Sequence, residues 1–95
     1  MDYKFKTTFW MDFTIADHFG LDAVKDTYKR SFRDWKYNTT YITELCLVLN
    51  WKIWQHYQTN EPLASLYNDL WWEVRNWCLD NLTGDDQVYF LDTTD

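Results

Sequence analysis

His18 and His56 are the only imidazoles in the chain, and imidazole is the side chain that exchanges protons near neutral pH. A general base or a metal site would need one of them close to a carboxylate or to a second ligand. Asp12, Asp17 and Asp22 surround His18 in sequence, but at no spacing typical of a metal motif. His56 belongs to a different segment, and nothing in the sequence brings the two histidines together. Ser31 and Ser65 have no evident base, and the chain has no glycine-rich phosphate loop, Gly-x-Ser-x-Gly elbow or Cys-x-x-Cys pair. Asp69 and Glu73 lie four residues apart on the outer face of a predicted helix, where two acids are solvated rather than paired for catalysis. The sequence therefore predicts no catalytic residue, no metal and no cofactor.

A basic stripe offers a second kind of chemistry. Lys25, Lys29, Arg33 and Lys36 fall on one side of a predicted helix and could contact phosphate. Asp22 and Asp26 share that sector at pairing distances, which makes it an ordinary solvated face. The following Asn38–Thr40 turn and apolar helix mimic a helix-turn-helix. Its second helix is too hydrophobic to read bases and also bury itself. A formal charge of −6, from 15 acids and 9 bases, opposes non-specific binding to nucleic acid or to an anionic membrane.

Aromatic side chains are the unusual feature: 7 Trp, 7 Tyr and 6 Phe in 95 residues. Such a chain is not disordered, and most of these rings must form its core. Helix four nevertheless points Trp72 away from its apolar face, with Leu79 two turns on and Arg75 beside them. Trp51 stands at the edge of the polar strip of helix three. Exposed Trp beside Arg is the composition of binding hot spots, so Trp72, Arg75, Leu79 and Trp51 are the expected partner-binding residues.

These side chains must be positioned by few turns, because the chain has 2 Gly and 1 Pro. Tyr3, Phe5, Thr7 and Phe9 alternate with polar residues and predict a short strand or extended arm over 1–9. Its only β-like partner is Val88-Tyr89-Phe90-Leu91. A first helix is expected over about 11–19, ending at a left-handed Gly20, and a second over about 22–36. The third starts at Thr40 as N-cap and runs to about residue 58. It is apolar on most of its circumference, with Glu44, Lys52, Gln55 and His56 as a narrow wet strip, so it is expected to be central. The fourth starts at Asn60, with Pro62 in its first turn and Gly84 beyond its end. The expected fold is one mostly all-α domain over residues 1–95, a bundle of about four helices with an extended N-terminal arm and a short C-terminal segment.

The residues Thr7-Thr8-Phe9-Trp10-Met11-Asp12-Phe13, Ile15-Ala16-Asp17-His18-Phe19-Gly20, Leu47-Val48-Leu49-Asn50-Trp51-Lys52-Ile53-Trp54 and Tyr89-Phe90-Leu91-Asp92-Thr93-Thr94-Asp95 resemble a group of small uncharacterised proteins of mobile genetic elements and phages of Gram-positive gut bacteria. That resemblance spans nearly the whole chain and implies an accessory or interaction role, but no activity and no catalytic residues. With no signal peptide and no run of about 20 apolar residues, a cytoplasmic protein that does not engage a membrane is expected, with Cys46 and Cys78 as buried free thiols.

Together these features predict a non-enzymatic protein that binds a partner protein, or itself as a homodimer, through an aromatic helix surface. One alternative is a small-molecule binder with a pocket of Trp54, Trp71 and Trp77. Another is an acidic nucleic-acid mimic using Asp69, Glu73 and Asp80. A tight histidine–carboxylate cluster would favour an enzyme.

Overall fold

Phe5, Phe9, Phe13 and Ala16 recur at helical spacing, and the structure makes them one face of a single long helix. The computed structural model describes residues 4–94. Residues 1–3, the start of the expected arm, and Asp95 lie outside the described residues. The elements are α1 (Lys4–Phe19), α2 (Leu21–Trp35), α3 (Thr39–His56), α4 (Glu61–Asn81) and α5 (Gly84–Thr94). The architecture is all-α, with five helices rather than about four and no strand among the described residues.

The expected N-terminal arm is corrected to the first two turns of α1. Phe5 and Phe9, two of the alternating residues, are also four apart, and both rings meet Tyr41 of α3, at 4.2 and 4.9 Å. The helix start is capped from outside its own sequence. Lys6 donates its backbone N–H to Glu44 Oε1 of α3 at 2.8 Å, and a carboxylate there satisfies an orphan donor and suits the positive end of the helix dipole.

The expected strand-like stretch Val88–Leu91 is also helical. Asp85 and Asp86 occupy the first turn of α5, and Phe90 is fully buried, so one large anchor decides the conformation against a weak local β preference. Gly20 joins α1 to α2 at φ 107° and ψ −175°. That is positive φ, as a glycine allows, but extended rather than left-handed helical.

As expected, α3 is central, touching the other four helices. Asn38, not Thr40, is its N-cap, accepting the Tyr41 N–H at 3.0 Å. Its face assignment needs correction too. Of the expected wet strip only Gln55 is exposed, whereas Glu44 and Lys52 are buried. Trp51, Trp54 and Tyr57, placed among the apolar residues, are exposed instead. The strip is dry because α1 docks on it and supplies partners for its polar groups. On α4, Asn60 caps by accepting the Leu63 N–H at 3.3 Å; of the expected apolar face Leu63, Tyr67, Leu70, Val74 and Cys78 are buried, and Leu66 and Trp77 only half-buried. No helix among the described residues is long and apolar enough to cross a membrane.

Cys46 and Cys78 are free and completely buried, and burial pushes both thiols up to about 12. The thiolate is the reacting species. Labelling with an aromatic disulfide reagent at pH 8 is therefore expected to be at least about tenfold slower in native buffer than in denaturant. Equal rates would show that the α3–α4 seam is open.

Candidate functional site

Asp17 on α1 is where the chain gathers most of its buried polar chemistry. Its Oδ2 lies 2.8 Å from Lys52 Nζ and 2.9 Å from His56 Nε2, both on α3. Its Oδ1 accepts the Tyr67 hydroxyl of α4. An ionised carboxylate only accepts hydrogen bonds, so His56 carries its hydrogen on Nε2 in this arrangement. Lys52 is 0% exposed. Its three ammonium hydrogens have three acceptors at 2.8 Å: Thr14 Oγ1, Asp17 Oδ2 and Gln55 Oε1. The Trp10 ring centre lies 4.3 Å from the same nitrogen, adding cation–π attraction. The His56 and Tyr67 rings stack at 5.8 Å.

Burial alone would raise the Asp17 pKa. Hydrogen bonds from Lys52, Tyr67 and His56 outweigh that and hold the carboxyl below its ordinary 3.8. Burial, together with the hydrogen bond to Asp17, pushes the Tyr67 phenol well above its ordinary value, so Tyr67 acts here as a neutral donor.

Sequence reasoning named Asp17 only as a neighbour of His18, and read Lys52 and His56 as surface. The structure leaves His18 exposed and gives Asp17 to the other histidine. The available signal was a pair of matching polar stripes: Thr14 and Asp17 on α1, and Lys52, Gln55 and His56 on α3, each at helical spacing.

This is the tight histidine–carboxylate cluster that an enzyme would need, yet its geometry is that of a clasp. The Lys52 hydrogens are fully committed, and Asp17 has one partner on α4 and two on α3. None of Asp17, Lys52, His56 and Tyr67 lines the groove described below or the hollow between Trp10 and Trp51. Among the described residues no group of three or more His, Cys, Asp or Glu could hold a metal ion.

The expected partner-binding residues fall in two places. Trp72, Arg75 and Leu79 share one side of α4, with Trp72 49% and Leu79 38% exposed. Trp72 packs edge-on against Trp71 at 4.8 Å. Arg75 is half-buried, its guanidinium 5.5 Å from the Trp71 ring and 6.0 Å from Phe90 of α5. Trp51 is on α3 and faces α1, with Lys6 Nζ 5.6 Å from its ring.

The three tryptophans expected to share a pocket have separate surroundings. Trp54 meets Tyr57, Trp71 meets Trp72, and Trp77 meets Phe32 and Tyr37. Trp77 is half-buried on the α2–α4 seam rather than deep in the core. Asp69, Glu73 and Asp80 are all exposed on α4.

Sequence reasoning passed over a groove of about 900 Å³ along α1 and α2. Phe9, Ala16, Ala23 and Thr27 line its inner part; Ile15 and Phe19 line it from α1 and are strongly exposed, Phe19 at 78%. Met11, Ile15 and Phe19 follow one another at four-residue spacing, forming an apolar ridge beside it. Asp12 faces the groove from α1, and Asp26, Lys29, Arg30, Arg33 and Asp34 from α2. Residues 21–36 hold five bases and three acids, against four bases and twelve acids elsewhere. The segment thus carries a small net positive charge on an acidic protein, while the groove lining itself pairs three bases with three acids.

No family model, curated protein or solved structure matches this chain.

Two outcomes are expected. The folded Asp17 pKa lies below the unfolded one, so the stabilisation is complete above the unfolded value, near 4, and is lost as pH falls through the folded value. Urea unfolding between about pH 5 and pH 2 should show stability falling with acid. In Asp17→Asn the slope should be shallower, by at most about 1.4 kcal/mol per pH unit, the equivalent of one proton. An unchanged slope would remove Asp17 from the acid response. On α4, Trp77→Ala should destabilise by about 2–3 kcal/mol, less than a fully buried Trp would, and Trp72→Ala by about 1 kcal/mol or less. Equal losses would place Trp72 in the core.

Proposed function

We propose that this chain is a non-enzymatic interaction module that holds an amphipathic helix of a partner protein in the groove between α1 and α2. The observation that carries this reading is the groove itself: apolar side chains that a folded chain normally hides, open to solvent beside Lys29, Arg30 and Arg33, with Asp12, Asp26 and Asp34 interleaved among them. Two consecutive helices in contact, with a groove along them, offer a surface for helix-in-groove recognition. The lining runs from Thr8 to Phe19 on α1 and from Ala23 to Trp35 on α2, so the groove accommodates roughly three turns of helix at about 1.5 Å per residue.

The chemistry of the occupant follows from the lining. Leucine-like residues would cover Ile15, Phe19 and the small floor residues Ala16 and Ala23. Acidic residues would meet Lys29 and Arg30; Arg33 is already paired with Asp34 at 2.8 Å. Charge complementarity of this kind sets specificity and association rate more than affinity. Nucleic acid also carries negative charge, but it would leave the Ile15–Phe19 ridge uncovered, and the chain as a whole repels it. The setting that accompanies this reading is the cytoplasm of a host cell, with the accessory role on a mobile element or phage that the sequence resemblance implies.

A second reading, favoured by the exposure of Trp72 and Leu79, puts the contact on α4. There Arg75 is turned towards Phe90, so that surface offers less positive charge for recognition.

The test uses two four-turn amphipathic peptides with leucine on one face and either glutamate or lysine on the other. The glutamate peptide is expected to shift amide resonances of α1 and α2, to bind at least about tenfold more tightly than the lysine peptide, and to weaken as salt rises from about 50 to 300 mM. Phe19→Ala and Arg30→Glu should each weaken it, while Trp72→Ala should not. Shifts confined to α4 would transfer the site to Trp72, and equal affinity for the two peptides would contradict the groove.

A further inference from the structure

Charge is unevenly divided along the chain. Residues 4–60 hold eight bases and six acids, whereas α4 and α5 together hold seven acids and one base. The α1–α2 groove belongs to the first part and α5 to the second. Opposite signs on different surfaces of one chain favour contact between copies.

The last helix has the composition that the groove requires. Asp85, Val88, Tyr89 and Asp92 recur at helical spacing, which sets them on one face of α5. All four are exposed, Val88 at 56% and Tyr89 at 40%. Two apolar side chains thus stand in water with a carboxylate one turn to either side. α5 contains no base. Neither its acids nor Lys29 and Arg30 of the groove are in an ion pair among the described residues.

This stripe is held outward by the opposite side of α5. Phe90 is fully buried there, and the Gln87 amide donates to the Leu79 and Leu82 carbonyls at 3.2 and 3.1 Å. A helix fixed in this way loses little freedom on docking. It does not fill the groove of its own chain: α5 packs on α3 and α4, and no α5 residue lines the groove. Length agrees as well, since 11 residues make about three turns. In the groove, Val88 and Tyr89 cover Ile15 and Phe19, and the stripe's carboxylates meet Lys29 and Arg30. The Tyr89 hydroxyl supplies a donor for Asp12 or Asp26 of the lining.

We infer that the occupant of the α1–α2 groove is α5 of a second copy of this chain, docked through Asp85, Val88, Tyr89 and Asp92. This rests on the groove reading above and names its partner. Groove and stripe are different surfaces, so the contact is head-to-tail. It closes when two copies exchange both contacts and otherwise extends. A three-turn contact is small, so the association is weak and shows at high concentration.

The experiment measures the weight-average mass of the full chain by sedimentation, from about 10 µM to about 1 mM protein at about 50 mM salt. Mass should rise above the monomer value with concentration, and association should weaken by at least about fivefold at about 300 mM salt. Two double variants divide the contact. Phe19→Ala with Arg30→Glu disables the groove and keeps the stripe, whereas Val88→Ala with Tyr89→Ala does the reverse. All four positions are exposed, so far-ultraviolet circular dichroism should be unchanged. Each double variant alone should associate at least about tenfold more weakly than the unaltered chain. An equimolar mixture should associate at least about fivefold more tightly than either alone, because an intact groove then meets an intact stripe. Trp72→Ala should leave self-association unchanged. The inference is overturned by a monomeric mass throughout, by association that survives both double changes or that Trp72→Ala abolishes, or by no recovery on mixing. If the leucine–glutamate peptide moves α1 and α2 resonances in a chain that stays monomeric, the groove reading stands and only the second copy as its occupant falls. If the peptide fails as well, both fall.

Discussion

A single carboxylate, Asp17, ties α1 to both helices beneath it. It accepts from Lys52 and His56 of α3 and from Tyr67 of α4, so three of the five helices meet at one side chain. A buried ion pair of this kind is not a large source of net stability, because removing two charges from water offsets most of their attraction. It acts instead on register. Slide α1 by one residue and Asp17 leaves Lys52 buried without its counter-charge, which is far worse than losing an exposed pair. Phe9, Phe13 and Ala16 would fit many apolar surfaces about equally well, whereas Lys52 with its three acceptors fits one.

The open groove depends on that register. The orientation that buries Phe13 and points Asp17 at α3 turns Met11, Ile15 and Phe19 outward, where they border the channel beside α2. It also lays Trp10 over Lys52, across from Trp51. At the other end of α1, Glu44 fixes the first turn through Lys6. The helix is thus pinned by one acid of α3 near its start and, near its end, by its own acid on two groups of α3. Exposed rings beside a helix held in this way are a standing cost to solubility, which a binding role would account for.

Much of the fold was legible where a local signal and a tertiary need coincided. Asn60 and Pro62 mark the start of α4, and Leu63 through Cys78 keep one apolar face, so both the helix and its buried side are read from sequence. The apolar character of α3 likewise places it at the centre. The ends of the chain were not legible for the same reason in reverse. The start of α1 is capped by Glu44, distant in sequence, and α5 is decided by the burial of Phe90 rather than by its own preference. Two of the alternating residues of the supposed arm are also four apart, so period-two and helical patterns cannot be told apart over so short a stretch. The candidate sites were hidden by one assumption, that Glu44, Lys52 and His56 on an otherwise apolar helix must face water. A polar strip on a central helix can equally mark where another helix brings its own polar groups, and here Thr14 and Asp17 supply them. Trp51 was singled out by composition alone, but its neighbours Lys6 and Trp10 could not be named while residues 1–9 were read as extended.

The central claim is that Asp17 and Lys52 act as one unit that sets the docking of α1. A double-mutant cycle with Asp17→Asn, Lys52→Met and the combined variant, followed by urea unfolding, measures that directly. Each single change should be strongly destabilising, by about 3–5 kcal/mol, because it strands a buried partner. The double variant should recover much of that loss, giving a coupling energy of about 2 kcal/mol or more. Additive losses, with coupling below about 0.5 kcal/mol, would show that the two groups act separately and that hydrophobic packing alone places α1.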